Sequence, residues 1–234
     1  MPHPLLLVDC YLDDFGCPAD FVPPAPHGER HVRVRAPHMP LDEVPTDAAP
    51  WGGIVISGSA ASVLDEHPWS LRLEELIRDA RARRVPVLGV CYGHQLIAKA
   101  LFDAARRAAL PEVGWYEVDL EPAAAADLPG PLPERFRCFL SHFDEVFDPQ
   151  VPGFRVLARS ERCPVQAFRL VDEPVWGVQF HAEMDPVEAH ALFELRMDKG
   201  AELGIDTAAM LELATYDESV WRSLYDGFLA QVPA

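Results

Sequence analysis

Cys91 stands where the sequence changes from a strand pattern to a helix pattern. The apolar run at residues 86–90 is typical of a buried strand, and a helical pattern begins at Gln95. Gly89 and Gly93, two residues away on either side, leave room for a sharp turn between the two elements. A cysteine at such a turn lies at a helix N-terminus, where the helix dipole and free N–H groups favour the thiolate. The pattern therefore predicts a cysteine nucleophile.

A second motif supplies a candidate base. His181 and Glu183 end a strand pattern that begins at Trp176. Alternate residues of a strand point to the same side, so Glu183 can orient the imidazole of His181. A histidine held in this way can take a proton from Cys91 and later give it to a leaving amine. Each residue alone has an ordinary structural explanation, as a strand-end histidine or a surface carboxylate, but the combination favours catalysis.

These residues resemble the two signatures of the class I glutamine amidotransferases, which use a Cys-His-Glu triad. The signatures are residues 89–95 and 180–183, and the resemblance continues in family order at residues 56–59, 112–115 and 140–146. Within the family the chain is similar to the amidotransferase domain of GMP synthetase and to stand-alone relatives of that domain. The resemblance covers roughly residues 5–185.

The resemblance implies roles for further residues. Backbone N–H groups of Gly58 and Tyr92 would form an oxyanion hole, and Gln95, Ser141 and His142 would hold the substrate. It implies no cofactor. The histidines and cysteines also show no spacing typical of a metal site, so no metal is expected.

The sequence has 234 residues, enough for one large domain or for a domain with a modest appendage. The five cysteines are scattered, which argues against a disulfide framework. The net charge of −17 disfavours nucleic-acid binding, because such a surface repels phosphates. No apolar run approaches the ~20 residues of a membrane span, and the N-terminus lacks a signal-peptide pattern. A cytoplasmic protein is therefore expected.

Strand and helix patterns alternate along the N-terminal part, at Leu5–Asp9, His31–Arg35, 53–57 and, for the helix, 68–84. This alternation predicts an α/β fold with an open, mostly parallel sheet covered by helices on both faces, and a site at the carboxyl ends of the strands. Shorter strands at 115–121, 137–140, 154–160, 165–171 and 175–180 predict a small antiparallel layer. The proline-rich segment 17–28 is expected to be a surface connection.

Two C-terminal helices are expected, at residues 186–199 and 207–230. The apolar stripe of the second indicates a core face, with a homodimer or partner surface as the alternative; it consists of Leu213, Tyr216, Val220, Leu224 and Phe228. The predicted domain covers residues 1–185, and residues 186–234 form a helical extension packed on it. His94, next to Gln95, is expected on a helix surface.

The favoured function is a cysteine-dependent glutaminase that releases ammonia from the glutamine side chain through a γ-glutamyl thioester. In one version the ammonia feeds a separate synthetase subunit, because the chain has no Walker-type ATP-binding loop. In a second, the chain acts alone as a γ-glutamyl peptidase or hydrolase, its pocket altered by Phe143 where the family usually has glycine. A third alternative is a non-catalytic scaffold.

Overall fold

The computed structural model describes residues 3–12, 31–122, 124 and 126–233. Its strands are β1 (Leu5–Asp9), β2 (His31–Arg35), β3 (Gly53–Ile56), β4 (Val87–Val90), β5 (Ala105–Leu120), β6 (Arg135–Val146), β7 (Phe154–Arg159), β8 (Ala167–Leu170) and β9 (Val175–Val178). Its longer helices are α1 (Pro68–Arg83), α2 (Tyr92–Phe102), α3 (Pro186–Glu202), α4 (Thr207–Glu212) and α5 (Glu218–Leu229). The segment 17–28, expected to be a surface connection, lies outside the described residues.

The strands form one nine-stranded sheet in the order β2-β1-β3-β4-β9-β8-β7-β5-β6. The first five strands in this order are parallel to one another, and each later pair is antiparallel. The predicted α/β class is confirmed. The antiparallel strands continue the same sheet edge to edge, and the sheet curls far enough for Phe139 of β6 to bridge to His181, just beyond β9.

Helices cover both faces of the parallel strands, as predicted. Alternate strand residues point to opposite faces, so Leu6 and Ile54 pack with α1 and α2, whereas Leu5 and Val55 pack with α5. The buried stripe of α5 consists of Val220, Trp221, Leu224, Tyr225 and Phe228. This stripe forms part of the core in the structure.

The helix α3 packs at the other end of the sheet, against the β5–β6 hairpin. Phe193 of α3 is buried with Trp115 of β5, Phe139 of β6 and Tyr11, which follows β1. This third cluster lies beside the carboxyl ends of the parallel strands because Tyr11 and the residues after β9 contribute to it. The C-terminal helix α3 is therefore placed to contact the predicted site.

The single helix predicted at residues 207–230 is wrong, since the chain forms α4 and α5 with a break between them. A new helix, α5, begins after Asp217 because the Asp217 side chain accepts a hydrogen bond from the Ser219 N–H and caps the helix. Asp206 caps α4 in the same way through the Ala209 N–H. Leu213 and Tyr216, which belonged to the predicted stripe, fall in the break and stay partly exposed.

The hairpin strands β5 and β6 are much longer than predicted. Their pairing runs from Ala105 opposite Val146 to Asp119 opposite Arg135, with an irregularity between Arg107 and Glu112. Charged residues alternate poorly with apolar ones here, so the period of two was hidden in the sequence.

No helix in the described part of the chain combines the length and the apolar composition needed to cross a membrane.

Candidate active site

Cys91 forms the turn between β4 and α2 with an unusual backbone, φ 50° and ψ −100°. Such a conformation costs a non-glycine residue about 1–3 kcal/mol and persists only where its surroundings hold it. The flanking glycines make the turn possible. A Cβ atom on Gly89 would lie 2.5 Å from the backbone of Gly93, and one on Gly93 would collide with the carbonyl oxygen of Ile56.

The backbone around Cys91 leaves a donor at the helix start free. The Cys91 N–H donates to Val178 O at 2.8 Å, and the Gly93 N–H donates to Ser57 O at 3.1 Å. The first N–H groups of a helix have no partner within the helix. The Tyr92 N–H lies between these two and has no acceptor among the described residues. It is therefore available to an anion beside the Cys91 sulfur.

His181 and Glu183 are joined by a short hydrogen bond, 2.6 Å between Nδ1 and Oε1. Burial alone would lower the pKa of His181, but the Glu183 carboxylate and the hydrogen-bonded sulfur of Cys91 raise that pKa well above its ordinary value. A raised pKa means that an imidazolium beside a thiolate is stabilised here. The arrangement can therefore hold the ion pair from which a cysteine nucleophile acts.

Gly58 lies against this group. A Cβ atom built on it would lie 2.9 Å from both His181 Cε1 and the Tyr11 hydroxyl, so only glycine fits without a shift. The Ser57 hydroxyl donates to the Gly58 carbonyl at 2.8 Å and accepts from the Cys10 N–H at 2.9 Å. These bonds fix the orientation of the loop after β3 beside the imidazole.

Tyr11 is a site residue that the sequence did not indicate. Its hydroxyl is buried and has no hydrogen-bond partner in the described part of the protein. Burial, and then the nearby Glu183 and Cys91, raise the pKa of Tyr11 well above its usual value, so the phenol stays protonated. A free O–H donor thus lies beside Gly58 and His181. It belongs to a loop after β1 that carries no recognisable motif, so proximity in the fold is its only signal.

The three predicted substrate-binding residues share one cavity with Cys91. Gln95, Ser141 and His142 line a space of about 60 Å³ into which the cysteine also projects. The Cys91 sulfur lies 3.9 Å from the carbonyl oxygen of Ser141. The Gln95 amide nitrogen already donates to Asp144 O at 2.7 Å. That bond ties the helix α2 to the strand that carries Ser141.

Both ring nitrogens of His142 are bound to protein groups. Nδ1 donates to Asp144 O at 2.9 Å, because a carbonyl can only accept, and Nε2 lies 2.8 Å from Glu112 Oε2. Glu112 is fully buried and also accepts from Ser160 and Gln166. The ring of His142 therefore has no free nitrogen for a ligand, and its hydrogen bonds hold the strand beside Ser141.

Spacing alone would allow a metal ion beside this network. Among the described residues, Glu112, His142 and Cys163 have ligand atoms within 4.8 Å of one another. Burial, and then Glu112, raise the pKa of Cys163, so its sulfur stays a thiol, which binds metals poorly. The hydrogen bonds of Glu112 and His142 account for the cluster without an ion.

His94 is fully buried, so the expectation that it lies on a helix surface is wrong. Its ring packs 4.9 Å from the ring of Phe168, in the core between α2 and the sheet. Burial lowers the pKa of His94 to about 3, and backbone groups of Gly177 and Val165 offset this only in part. The helix α2 is buried around its whole first two turns, and this places His94 in the core.

The low pKa of His94 predicts acid destabilisation. Below pH 6.5, its ordinary pKa, the His94 side chain binds a proton in the unfolded chain. In the folded chain it stays neutral until the pH falls to about 3. At pH 4.5 this lowers the free energy of unfolding by about 3 kcal/mol relative to neutral pH. Urea unfolding at pH 7 and pH 4.5 measures the effect. His94→Leu should lose correspondingly less stability between these pH values, and an unchanged pH dependence in that variant would contradict the assignment.

Sequence comparison identifies the family to which this architecture belongs. The profile of the family described as "Glutamine amidotransferase class-I" matches residues 27–198, well over half of the chain. The chain belongs to the class I glutamine amidotransferases. The elbow at Cys91 and the pair His181–Glu183 both lie within the matched region.

Matches to individual proteins agree with the family assignment. The chain is 36% identical over 149 residues to a subunit of the glutamine-hydrolyzing GMP synthase of Pyrococcus furiosus, an alignment that covers 64% of this chain and 74% of that protein. It is 42% identical over 104 residues to the corresponding subunit of Thermococcus kodakarensis, covering 44% of this chain and 54% of that one. The match to GMP synthase of Aeropyrum pernix, at 41% identity over 56% of this chain, spans only 24% of that longer protein. The chain therefore spans between a quarter and three quarters of the length of these relatives.

Solved structures of the family share the fold. A glutamine amidotransferase from Thermotoga maritima superposes over 100% of both chains with a TM-score of 0.73 at 24% identity. A glutamine amidotransferase from Methylobacillus flagellatus superposes with a TM-score of 0.72 at 26% identity, over 99% of this chain and 90% of the other. The curled nine-stranded sheet is therefore the amidotransferase architecture.

Proposed function

We propose that this amidotransferase hydrolyses the side-chain amide of glutamine with Cys91, His181 and Glu183 as its triad. The proposal rests on two features that lie together. Cys91 has a strained backbone at the turn between β4 and α2, and it is hydrogen-bonded to His181, whose Nδ1 lies 2.6 Å from the Glu183 carboxylate. Strained backbone at a nucleophile is typical of enzymes that expose the attacking atom at the top of a sheet. A scaffold without activity would have no use for either feature.

In the first step the Cys91 thiolate attacks the amide carbon, and the carbonyl oxygen becomes an oxyanion. The free Tyr92 N–H and the loop at Gly58 flank the sulfur and the imidazole, so their backbone N–H groups would bind this oxyanion. One such donor lowers the barrier by about 3 kcal/mol. The positions of these groups support the proposed oxyanion hole.

In the second step His181 gives its proton to the amide nitrogen, and the C–N bond breaks to release ammonia and a γ-glutamyl thioester. His181, now neutral, takes a proton from water as the water attacks the thioester. Glutamate leaves and the thiolate–imidazolium pair is restored. Glu183 keeps Nδ1 protonated throughout, so Nε2 is the atom that exchanges protons.

Gln95 and Ser141 would hold the substrate in this scheme, and His142 would support them from behind. Gln95 and Ser141 line the cavity beside Cys91 with polar groups, and the carbonyl of Ser141 faces the sulfur. His142 would act through the bonds that its ring makes to Glu112 and Asp144, since its nitrogens are occupied. Its contribution is to keep Ser141 in place.

We further propose that the ammonia serves a synthetase on a separate polypeptide. Relatives matched over about half or more of their length are named as one subunit of GMP synthase, and such a name implies that another subunit completes the enzyme. The second candidate is a stand-alone γ-glutamyl hydrolase. It is favoured by Phe143, whose ring lines the cavity beside Cys91 and changes its shape from that expected of the family.

One assay separates these candidates. Ammonia and glutamate are measured from glutamine and from γ-glutamyl peptides, with and without proteins that copurify from the native cell. Glutamine hydrolysis that rises when a synthetase copurifies supports the amidotransferase, whereas faster cleavage of γ-glutamyl peptides by the isolated chain supports the hydrolase. Failure to cleave any of these substrates in either condition would reject both.

A further inference from the structure

Arg196 stands apart from the other arginines of the described chain. Each of the others in residues 31–122 and 126–233 donates a hydrogen bond to a protein group or forms an ion pair. Arg196 has a buried Nε atom without any acceptor in the described part of the protein. A buried donor without an acceptor costs free energy in the empty protein. An incoming acceptor would recover that free energy.

The position of Arg196 relates this free cation to the site. The side chain projects from α3 and lines the cavity that contains Cys91, Gln95 and Ser141. It also lines a second small cavity that contains Tyr11 and His181. Arg196 therefore borders both cavities around the proposed triad.

Phe143 gives the guanidinium a platform. The Arg196 Cζ atom lies 6.0 Å from the centroid of the Phe143 ring, and both side chains line the cavity with Cys91. A cation over an aromatic face is attracted to it and loses rotational freedom. Glycine, which the family usually has at position 143, would remove this support. Phe143 and Arg196 therefore work as a pair that the usual sequence pattern does not contain.

A second arginine in the same cavity is already engaged. Arg107 forms an ion pair with Asp144 at 2.7 Å, and Asp144 also accepts from Ser62 at 2.6 Å. The carboxylate of Asp144 is thus used within the protein. Among the described residues that line this cavity, the positive charge left without a partner is that of Arg196. A planar guanidinium binds a carboxylate through two parallel hydrogen bonds.

We propose that Arg196 binds the α-carboxylate of the glutamyl group whose side-chain amide Cys91 attacks. This inference rests on the proposed function, and it restricts the substrate class. The substrate must carry a carboxylate on its acyl side, as glutamine and γ-glutamyl compounds do, and neutral amides are rejected. The substrate carboxylate is then recognised by a residue of α3, which lies outside the two family signatures.

The binding test uses the Cys91→Ala protein, so that its outcome does not depend on hydrolysis. NMR titration measures Kd for L-glutamine and for L-glutaminamide, in which the carboxylate is replaced by a neutral amide. Adding Arg196→Met should raise Kd for glutamine about 10- to 100-fold and leave Kd for glutaminamide unchanged. Arg222→Met, at an exposed position on α5, is the matched control and should change neither value. Because the Arg196 Nε has no acceptor among the described residues, Arg196→Met should also keep the melting temperature.

A hydrolysis test shows which carboxylate of the substrate Arg196 recognises. A γ-glutamyl anilide has no carboxylate in its leaving group, so its KM should rise as much as that of glutamine in the otherwise native Arg196→Met protein. Equal weakening of glutamine and glutaminamide binding, or an effect confined to substrates with an acidic leaving group, would overturn the inference. Hydrolysis absent from the native protein both with and without copurifying proteins, with glutamine binding still dependent on Arg196, would reject the proposed function alone.

Discussion

Replacing Cys91 with alanine is expected to lower ammonia release from glutamine by about 10⁴-fold or more, because the variant has no sulfur at the elbow to form the thioester. The other described thiols, Cys10, Cys138 and Cys163, are buried, and burial raises the pKa of each well above its usual value. They cannot substitute for Cys91 as nucleophiles. Coupled-enzyme detection of glutamate, with mass spectrometry of the trapped thioester, measures the loss.

Cys138→Ala is the matched control for this variant. Cys138 is buried in β6, in the core on the α5 side of the sheet, so its replacement removes a sulfur from outside the turn at residues 89–93. It should keep most of the activity. A glutamine-like diazoketone should label native and Cys138→Ala protein but not Cys91→Ala. Native-like activity in Cys91→Ala would end the triad proposal.

The second large loss of activity is expected when His181, the proposed general base, is replaced. His181→Ala should lower kcat/KM by about 10³-fold, because general acid–base catalysis contributes about 10²- to 10⁴-fold. The imidazole is buried between Glu183, Cys91 and Gly58, so imidazole added to the solution should restore little of the activity. Steady-state kinetics measures the loss, and circular dichroism checks that the variant stays folded.

The pH profile distinguishes a base from a residue that merely fills space. Glu183 raises the pKa of His181, so Glu183→Gln lowers that pKa. The thiolate–imidazolium pair loses its imidazolium proton as the pH rises, and this loss sets the alkaline limb of kcat/KM. The limb should therefore move to lower pH in Glu183→Gln. A limb that stays in place would contradict the role assigned to the pair.

The sequence predicted the parts of the site that depend on local pattern. The elbow at Cys91 could be read from two glycines between a strand and a helix, and the pairing of His181 with Glu183 from their two-residue spacing, although both residues lie beyond the end of β9. The parallel half of the sheet followed from alternation of strands and helices. Such features have their cause within a few neighbouring residues, so a single sequence contains them.

The sequence did not predict the parts that depend on long-range packing. Tyr11 and Arg196 come from opposite ends of the chain and meet at one cavity wall only after α3 docks on the β5–β6 hairpin. Nothing near either residue in sequence marks it as part of a site. The buried state of His94 was missed for the same reason, because its partner Phe168 lies far away in β8. The break after α4 depended on the cap at Asp217, which the apolar stripe concealed.

The left-handed backbone of Cys91 biases how related genes evolve. Glycine adopts φ 50° and ψ −100° without strain, so a change to glycine at this position would abolish activity and relieve about 1–3 kcal/mol of strain, offset in part by the greater conformational entropy that glycine loses on folding. A duplicated gene released from selection for catalysis would accept that change readily. Inactive paralogues of this fold are therefore expected to accept glycine at the elbow with little change in melting temperature.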